Sequence, residues 1–256
     1  MGVRKNVAVV DATELAALRD GFAALYGLSD DRGYGFLAGI HGLPLPVSCQ
    51  HGTDLFLPWH RAYLYFFERA LQARSPAANV PWWDWTAAES HRSGIPGAYR
   101  DGGSENPLTS GPVTLSASDL RLVRQNLPGA ISAGRAPRTR RDPDVADELP
   151  RPQTVQRAMD SRTFVDFSRI LEGIHNGVHG WVGGAMSAVP IAAYDPIFWA
   201  HHSMIDRLWY LWQLSPTGAN PPAGLLGRVL APFPMTVRDT LEISTLGYEY
   251  AAQVIR

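Results

Sequence analysis

The sequence predicts a mainly α fold: a four-helix bundle core with long loops, in a single domain over residues 1–256. Three observations carry that expectation. Apolar residues recur at helical spacing in long stretches, including those that follow Asp11, His60 and Pro196. No segment repeats at a fixed period, as a solenoid or propeller would require. A chain of 256 residues, 45% of them hydrophobic, buries a sizeable core without a second domain.

Asp11 and Glu14 form a capping-box pattern, and Leu15, Leu18, Phe22 and Leu25 then keep helical spacing up to Gly27, a C-cap. Glycines and prolines break any period from Asp31 to Gln50, which places His41 and Cys49 on loop or short helix. Tyr63, Leu64, Phe67 and Leu71 make the segment after His60 an amphipathic helix. Val80 to Trp85 reads as an aromatic core plug in which Asp84 needs a partner. Residues 92–115 form a surface excursion, followed by a short helix at Asp119–Leu127. Arg135 to Arg141, with Asp142, Asp144, Asp147 and Glu148 after them, read as a solvated loop of both signs. Glu172, His175, Asn176 and His179 stand at i, i+3, i+4 and i+7, on one helical face. His202 and Asp206 are an i, i+4 pair on a helix that runs into Leu208–Trp212, apolar on nearly every face. Residues 221–234 are loop.

A net charge of −1 removes the electrostatic footprint of nucleic-acid or anionic-membrane binding, so a small molecule is the expected partner. No apolar run reaches the roughly 18 residues of a membrane span, and the first residues lack a signal-peptide pattern. The expected location is the cytoplasm, or outside it by export with a helper protein. The single cysteine excludes an internal disulfide.

Histidine is the unusual feature. One buried histidine is commonly structural, yet His41, His51 and His60 form one group and His175, His179, His201 and His202 another. Six buried imidazoles with no shared partner would each leave a nitrogen unsatisfied; two metal ions with three imidazoles each would satisfy them. Dizinc or dimanganese hydrolases bridge their ions with carboxylates, and no HExxH or paired Asp/Glu accompanies these histidines. An all-imidazole set suits copper. Neutral ligands also leave positive charge for a reduced-oxygen dianion, which makes this a dioxygen site. A zinc hydrolase remains an alternative that metal analysis separates.

With these motifs in place, the chain resembles the type-3 dicopper proteins: tyrosinases, catechol oxidases and molluscan hemocyanins. The matching stretches are His41-Gly42, Cys49-Gln50-His51-Gly52, Leu57-Pro58-Trp59-His60-Arg61, Pro81-Trp82-Trp83-Asp84-Trp85, His175-Asn176-Gly177-Val178-His179 with Trp181-Val182-Gly183-Gly184, and Asp195 to His202 with Asp206-Arg207-Leu208-Trp209. The opening Val3-Arg4-Lys5-Asn6 is similar to short bacterial tyrosinases. The resemblance implies a bundle core holding a dicopper centre, with His41, His51 and His60 on the first copper and His175, His179 and His202 on the second. His201 and Asp206 would support those ligands from behind. Cys49 would be joined by a thioether to the His51 ring, and Arg4 would make a cation–π contact with the Tyr248-Glu249-Tyr250 motif. Glu172 and Asn176 would hold a water that takes a proton from substrate.

The implied activity is a copper enzyme that uses O2 to ortho-hydroxylate monophenols and to oxidise ortho-diphenols to ortho-quinones. A diphenolase-only catechol oxidase and an ortho-aminophenol oxidase are alternatives within the class; a hemocyanin-like O2 carrier is the alternative outside it. The resemblance leaves room for a copper-delivering helper protein. No counterpart of the C-terminal lid or sandwich domain of relatives is found in the sequence, so the expected site is uncovered. Residues 94–153 match no family pattern.

Overall fold

A computed structural model of the chain describes residues 2–44 and 47–252, so the extreme ends of the expected 1–256 domain lie outside the description. The Asp11 side chain accepts from the Glu14 N–H while the Glu14 carboxylate accepts from the Asp11 N–H, and this reciprocal cap starts α1 (Ala12–Tyr26). Leu18, Phe22 and Leu25 are its buried face. Gly21 stands where α1 meets the next long helix: a Cβ there would come within 2.7 Å of Leu71.

The short α2 (Tyr34–Gly39) ends just before His41. Then α3 (Phe56–Gln72) buries Phe56, Trp59, Tyr63, Phe67 and Leu71 along one face. The core is completed by α8 (Phe164–Val182) and α9 (Ile197–Gln213), and α3 packs against each of α1, α8 and α9. Flat aromatic stacks set these contacts: Phe67 of α3 lies 3.5 Å from Trp199 of α9, and Phe167 of α8 lies 4.2 Å from Trp212 of α9. From Ile197 to Trp209 every residue of α9 is buried, which is what a sequence apolar on nearly all sides demands.

The expected mainly α architecture is therefore present, with long loops and short helices between the core elements: α4 (Ala88–Ser93), α5 (Gly97–Arg100), α6 (Ala117–Asn126) and α7 (Pro152–Met159). Here α6 begins two residues earlier than the spacing suggested, because the Ser116 side chain caps the Asp119 N–H. Asp84 finds a local partner, accepting from the N–H and hydroxyl of Thr86. The mixed-charge stretch is exposed at Arg135, Arg140, Asp142, Asp144, Asp147 and Glu148, as a solvated loop should be, and needs correction at one residue. Arg141 turns inward, donates to the buried Asp195 carboxylate at 2.6 Å and to the Leu108 carbonyl at 2.8 Å, and so pins this loop to the start of α9. Among the described residues no helix is long and apolar enough to cross a membrane.

Strand β1 (Gly2–Arg4) pairs in parallel with β2 (Tyr248–Tyr250), which delivers Arg4 to a buried charge network. Asp206 of α9 accepts from Arg4 at 3.1 Å, Tyr248 at 2.7 Å and Tyr250 at 2.6 Å, and its other oxygen pairs with Arg61 of α3. Arg4 also donates to Glu68 at 2.9 Å and lies 3.6 Å over the Tyr248 ring. Asp206→Ala would leave Arg61 without a carboxylate and Arg4 with Glu68 alone, so urea unfolding of the metal-free chain should show a loss of about 3–5 kcal/mol. A loss below about 1 kcal/mol would mean the pairing is worth no more than a surface ion pair.

Candidate metal centre

Three helices and two stretches of loop aim seven imidazoles at one region. His41 follows α2, His51 sits on an irregular segment and His60 lies in the first turns of α3; their donor nitrogens fall within 4.8 Å of one another. His175 and His179 on α8 join His201 and His202 on α9 in a second group with the same spread. The groups face each other: the His60 and His202 rings stack at 4.6 Å and 16°, and His51 lies 5.7 Å from His175. The helical core supplies these positions from α3, α8 and α9; α1 carries none.

In four of the rings, orientation is fixed by what Nδ1 meets. His60 Nδ1 donates to the Phe56 carbonyl at 2.8 Å, His41 Nδ1 to Val189 O at 3.1 Å and His179 Nδ1 to Met186 O at 2.7 Å. His175 Nδ1 donates to Asn176 Oδ1 at 3.0 Å. A proton held on Nδ1 leaves the Nε2 lone pair free for a metal. Accordingly Nε2 of His41 and His60 is buried without a hydrogen-bond partner, and Nε2 of His175 and of His179 each lie 3.2 Å from His202 Nε2. These residues fit the metal that the sequence implied: convergent, neutral, all-nitrogen donors of the kind that suits copper, with no carboxylate in either group.

Burial enforces that neutrality. It holds His41, His60, His175 and His202 well below the ordinary imidazole value, with neighbouring imidazoles adding to the effect, and brings His179 to about 4. His51, the least covered of the group, is lowered by burial alone.

His201 is fully buried and stacks on His175 at 5.1 Å and 18°, with both ring nitrogens free of hydrogen bonds. Asp206, one turn beyond His202, anchors α9 through the network described above. Cys49 Sγ stands 3.4 Å from His51 Nδ1, and burial pushes its thiol up to about 11. Glu172 is buried beside the centre, which raises its carboxyl above the usual range; Oε1 accepts from the Gly52 N–H at 2.6 Å. Asn176 is exposed at the outer edge of the same helix face. His91 stays apart on α4, 4.0 Å from Asp147.

Sequence reasoning missed the carbonyls of Val189 and Met186 and the Gly52 N–H, because backbone groups leave no trace in residue type. The His60–Phe56 bond, in contrast, is an i, i−4 relation readable from helix spacing.

The lowered imidazoles couple stability to pH. Below about 6.5 the unfolded chain takes up protons that the folded one refuses until far lower, so stability is full above that value and is lost as pH falls toward about 4, the His179 value. The urea midpoint of the metal-free chain should therefore drop between pH 7 and pH 5. A flat profile would mean that the rings titrate as they do in water.

Comparison with known proteins agrees with this geometry. The model of the "Common central domain of tyrosinase" matches residues 31–215. Hemocyanin units G and H of Sepia officinalis are 32% identical over 224 residues, covering 82% of this chain and 37% of the relative. The chain spans only 9% and 22% of two Enteroctopus dofleini hemocyanins. A tyrosinase of Streptomyces antibioticus is 32% identical over 290 residues, covering 98% of this chain and 99% of the relative. Among solved structures, a functional unit of octopus hemocyanin superposes with a TM-score of 0.81 at 26% identity, over 98% of this chain and 68% of that one. A tyrosinase from Burkholderia thailandensis gives a TM-score of 0.80 at 22% identity, over 100% and 75% of the two chains, and speaks for the fold. The chain therefore belongs to the tyrosinase family of type-3 copper proteins, in which tyrosinases and hemocyanins both stand among its relatives.

Proposed function

We propose that this protein is a phenol oxidase, taking O2 to convert monophenols and ortho-diphenols into ortho-quinones. The observation that carries the reading is the placement of Glu172 and Asn176 beside His175: a proton acceptor at the donor cluster, which an O2 carrier does not need. The match along nearly the whole of a Streptomyces tyrosinase supports it. In this reading His41, His51 and His60 hold one copper, and His175, His179 and His202 the other. Bound copper supplies O2 binding and two-electron exchange with the substrate.

The chain's own residues handle the proton. A phenol with pKa near 10 is ionised in about one molecule per thousand at pH 7, a deficit of roughly 4 kcal/mol. The Glu172 carboxylate, with its proton affinity raised by burial, has one oxygen on Gly52 and the other free to take the phenolic proton through a water. Asn176, whose Oδ1 is engaged by His175, offers its amide N–H to orient that water. Asp206 keeps the α9 donor in place through its ion pairs, and His201 packs against the His175 ring.

Cys49 completes the reading. A thiol held at about 11 is protonated at neutral pH and inert as a nucleophile, so joining it to the His51 ring needs an oxidant. With O2 as the two-electron oxidant, the sulfur and the ring carbon beside Nδ1 would each give up one hydrogen as the C–S bond forms, and O2 would leave as hydrogen peroxide; copper held by the six imidazoles would supply the redox chemistry.

The decisive experiment loads the chain with copper and adds O2 and a catechol. Two copper ions per chain, quinone formation and a peptide mass lower by two hydrogens are expected. A second reading, an O2 carrier, draws on the hemocyanin relatives and predicts unchanged catechol. Glu172→Gln should lower monophenol turnover by about 100-fold or more at unchanged copper content, with a much smaller effect on diphenols, which need no ring hydroxylation. Equal losses on both substrates would remove Glu172 from the proton path.

A further inference from the structure

The three imidazoles of the first group are not held equally. His60 is set by α3, and His41 follows α2 with its ring on Val189. His51 belongs to residues 47–52, which form neither helix nor strand. The Cys49–His51 and Gln50–Ser48 contacts are local. Among the described residues, one hydrogen bond leaves this segment: Gly52 N–H to Glu172 Oε1, 2.6 Å long, across 120 positions of sequence. Gly52 takes a φ of +66°, a conformation favoured by glycine, and a Cβ there would meet nothing, so the turn serves the direction of the backbone rather than packing.

We propose that Glu172 is a positioning residue for His51: its carboxylate clamps the 47–52 segment to α8, so that metal binding by the first group depends on a residue carried by the helix of the second. This rests on the reading of His51 as a metal ligand. An imidazole on a free segment must surrender conformational entropy each time it binds a metal, whereas a clamped one has surrendered it on folding. A charged acceptor on a half-buried N–H is among the stronger bonds available for the purpose. The far end of the clamp is rigid, because α8 is capped by Thr163 and buried along the face that carries Leu171, His175 and Val178.

The test separates the clamp from the proton acceptor proposed above, since glutamine keeps a carbonyl oxygen for Gly52 but is no base. In the copper-free full chain, hydrogen exchange of amides 50–54 should speed up about 10- to 100-fold in Glu172→Leu and stay near wild type in Glu172→Gln. Titration with Cu(I) against a chromophoric chelator should show two comparable sites in wild type and in Glu172→Gln. In Glu172→Leu one of the two should weaken by a similar factor. Unchanged exchange over α8 and α9 serves as the folding control; if Glu172→Leu disturbs it, Glu172→Ala takes its place. Wild-type exchange at 50–54 in the variant lacking the acceptor overturns the proposal. Faster exchange with both copper affinities intact would leave the hydrogen bond standing but overturn the proposal, because metal binding would then not depend on it.

Discussion

The position of Asp206 governs more of this molecule than any other contact. Its carboxylate binds Arg61, the residue after His60, and it lies one helical turn beyond His202. A buried ion pair thus joins the helices that carry His60 and His202, whose rings stack one on the other. Arg4, Tyr248 and Tyr250 satisfy the remaining demand of the carboxylate. Two buried cations, Arg4 and Arg61, face two buried anions, Glu68 and Asp206, and that balance is what makes such burial tolerable. The network also holds Asp206 ionised: against the burial that raises it, the two guanidiniums and the Tyr250 hydroxyl keep its carboxyl below the usual range.

A second constraint is shared by both groups through the short connector between α8 and α9. Met186 offers its carbonyl to His179 and Val189 offers its own to His41, so the four residues 186–189 orient one imidazole on each side of the centre. The connector is pressed against the rest of the chain. A Cβ on Gly184 would stand 2.1 Å from the Arg140 carbonyl, and one on Gly42 would stand 2.4 Å from Pro190 O. Glycine at these two places is what lets the backbone approach closely enough to reach the rings.

What the sequence could disclose followed from periodicity. The capping box of α1, the common face of Glu172, His175 and His179, and the all-round apolar run of α9 are local patterns, and local patterns survive without coordinates. The two histidine groups were legible for the same reason. The inward turn of Arg141 was not, because a charged residue in a loop is solvated by default and its partner Asp195 lies 54 positions away. Glu68 was missed likewise: within α3 it reads as a polar position on an amphipathic helix, and only the arrival of Arg4 from β1 explains its burial. The grip of Glu172 on Gly52 spans 120 positions and uses a backbone group, which no residue pattern records.

The pairing of β1 with β2 has a consequence for biosynthesis. Residues 2–4 leave the ribosome well before residues 248–250, yet they lie side by side in register. Until Tyr248 and Tyr250 emerge, Asp206 and Arg4 lack two of their partners, and a growing chain carries its central charges only partly matched. Helices form and collapse locally as they appear. The charge network is therefore closed by segments 246 positions apart, which makes translation through residue 250, rather than synthesis of the histidine helices, the step that completes it.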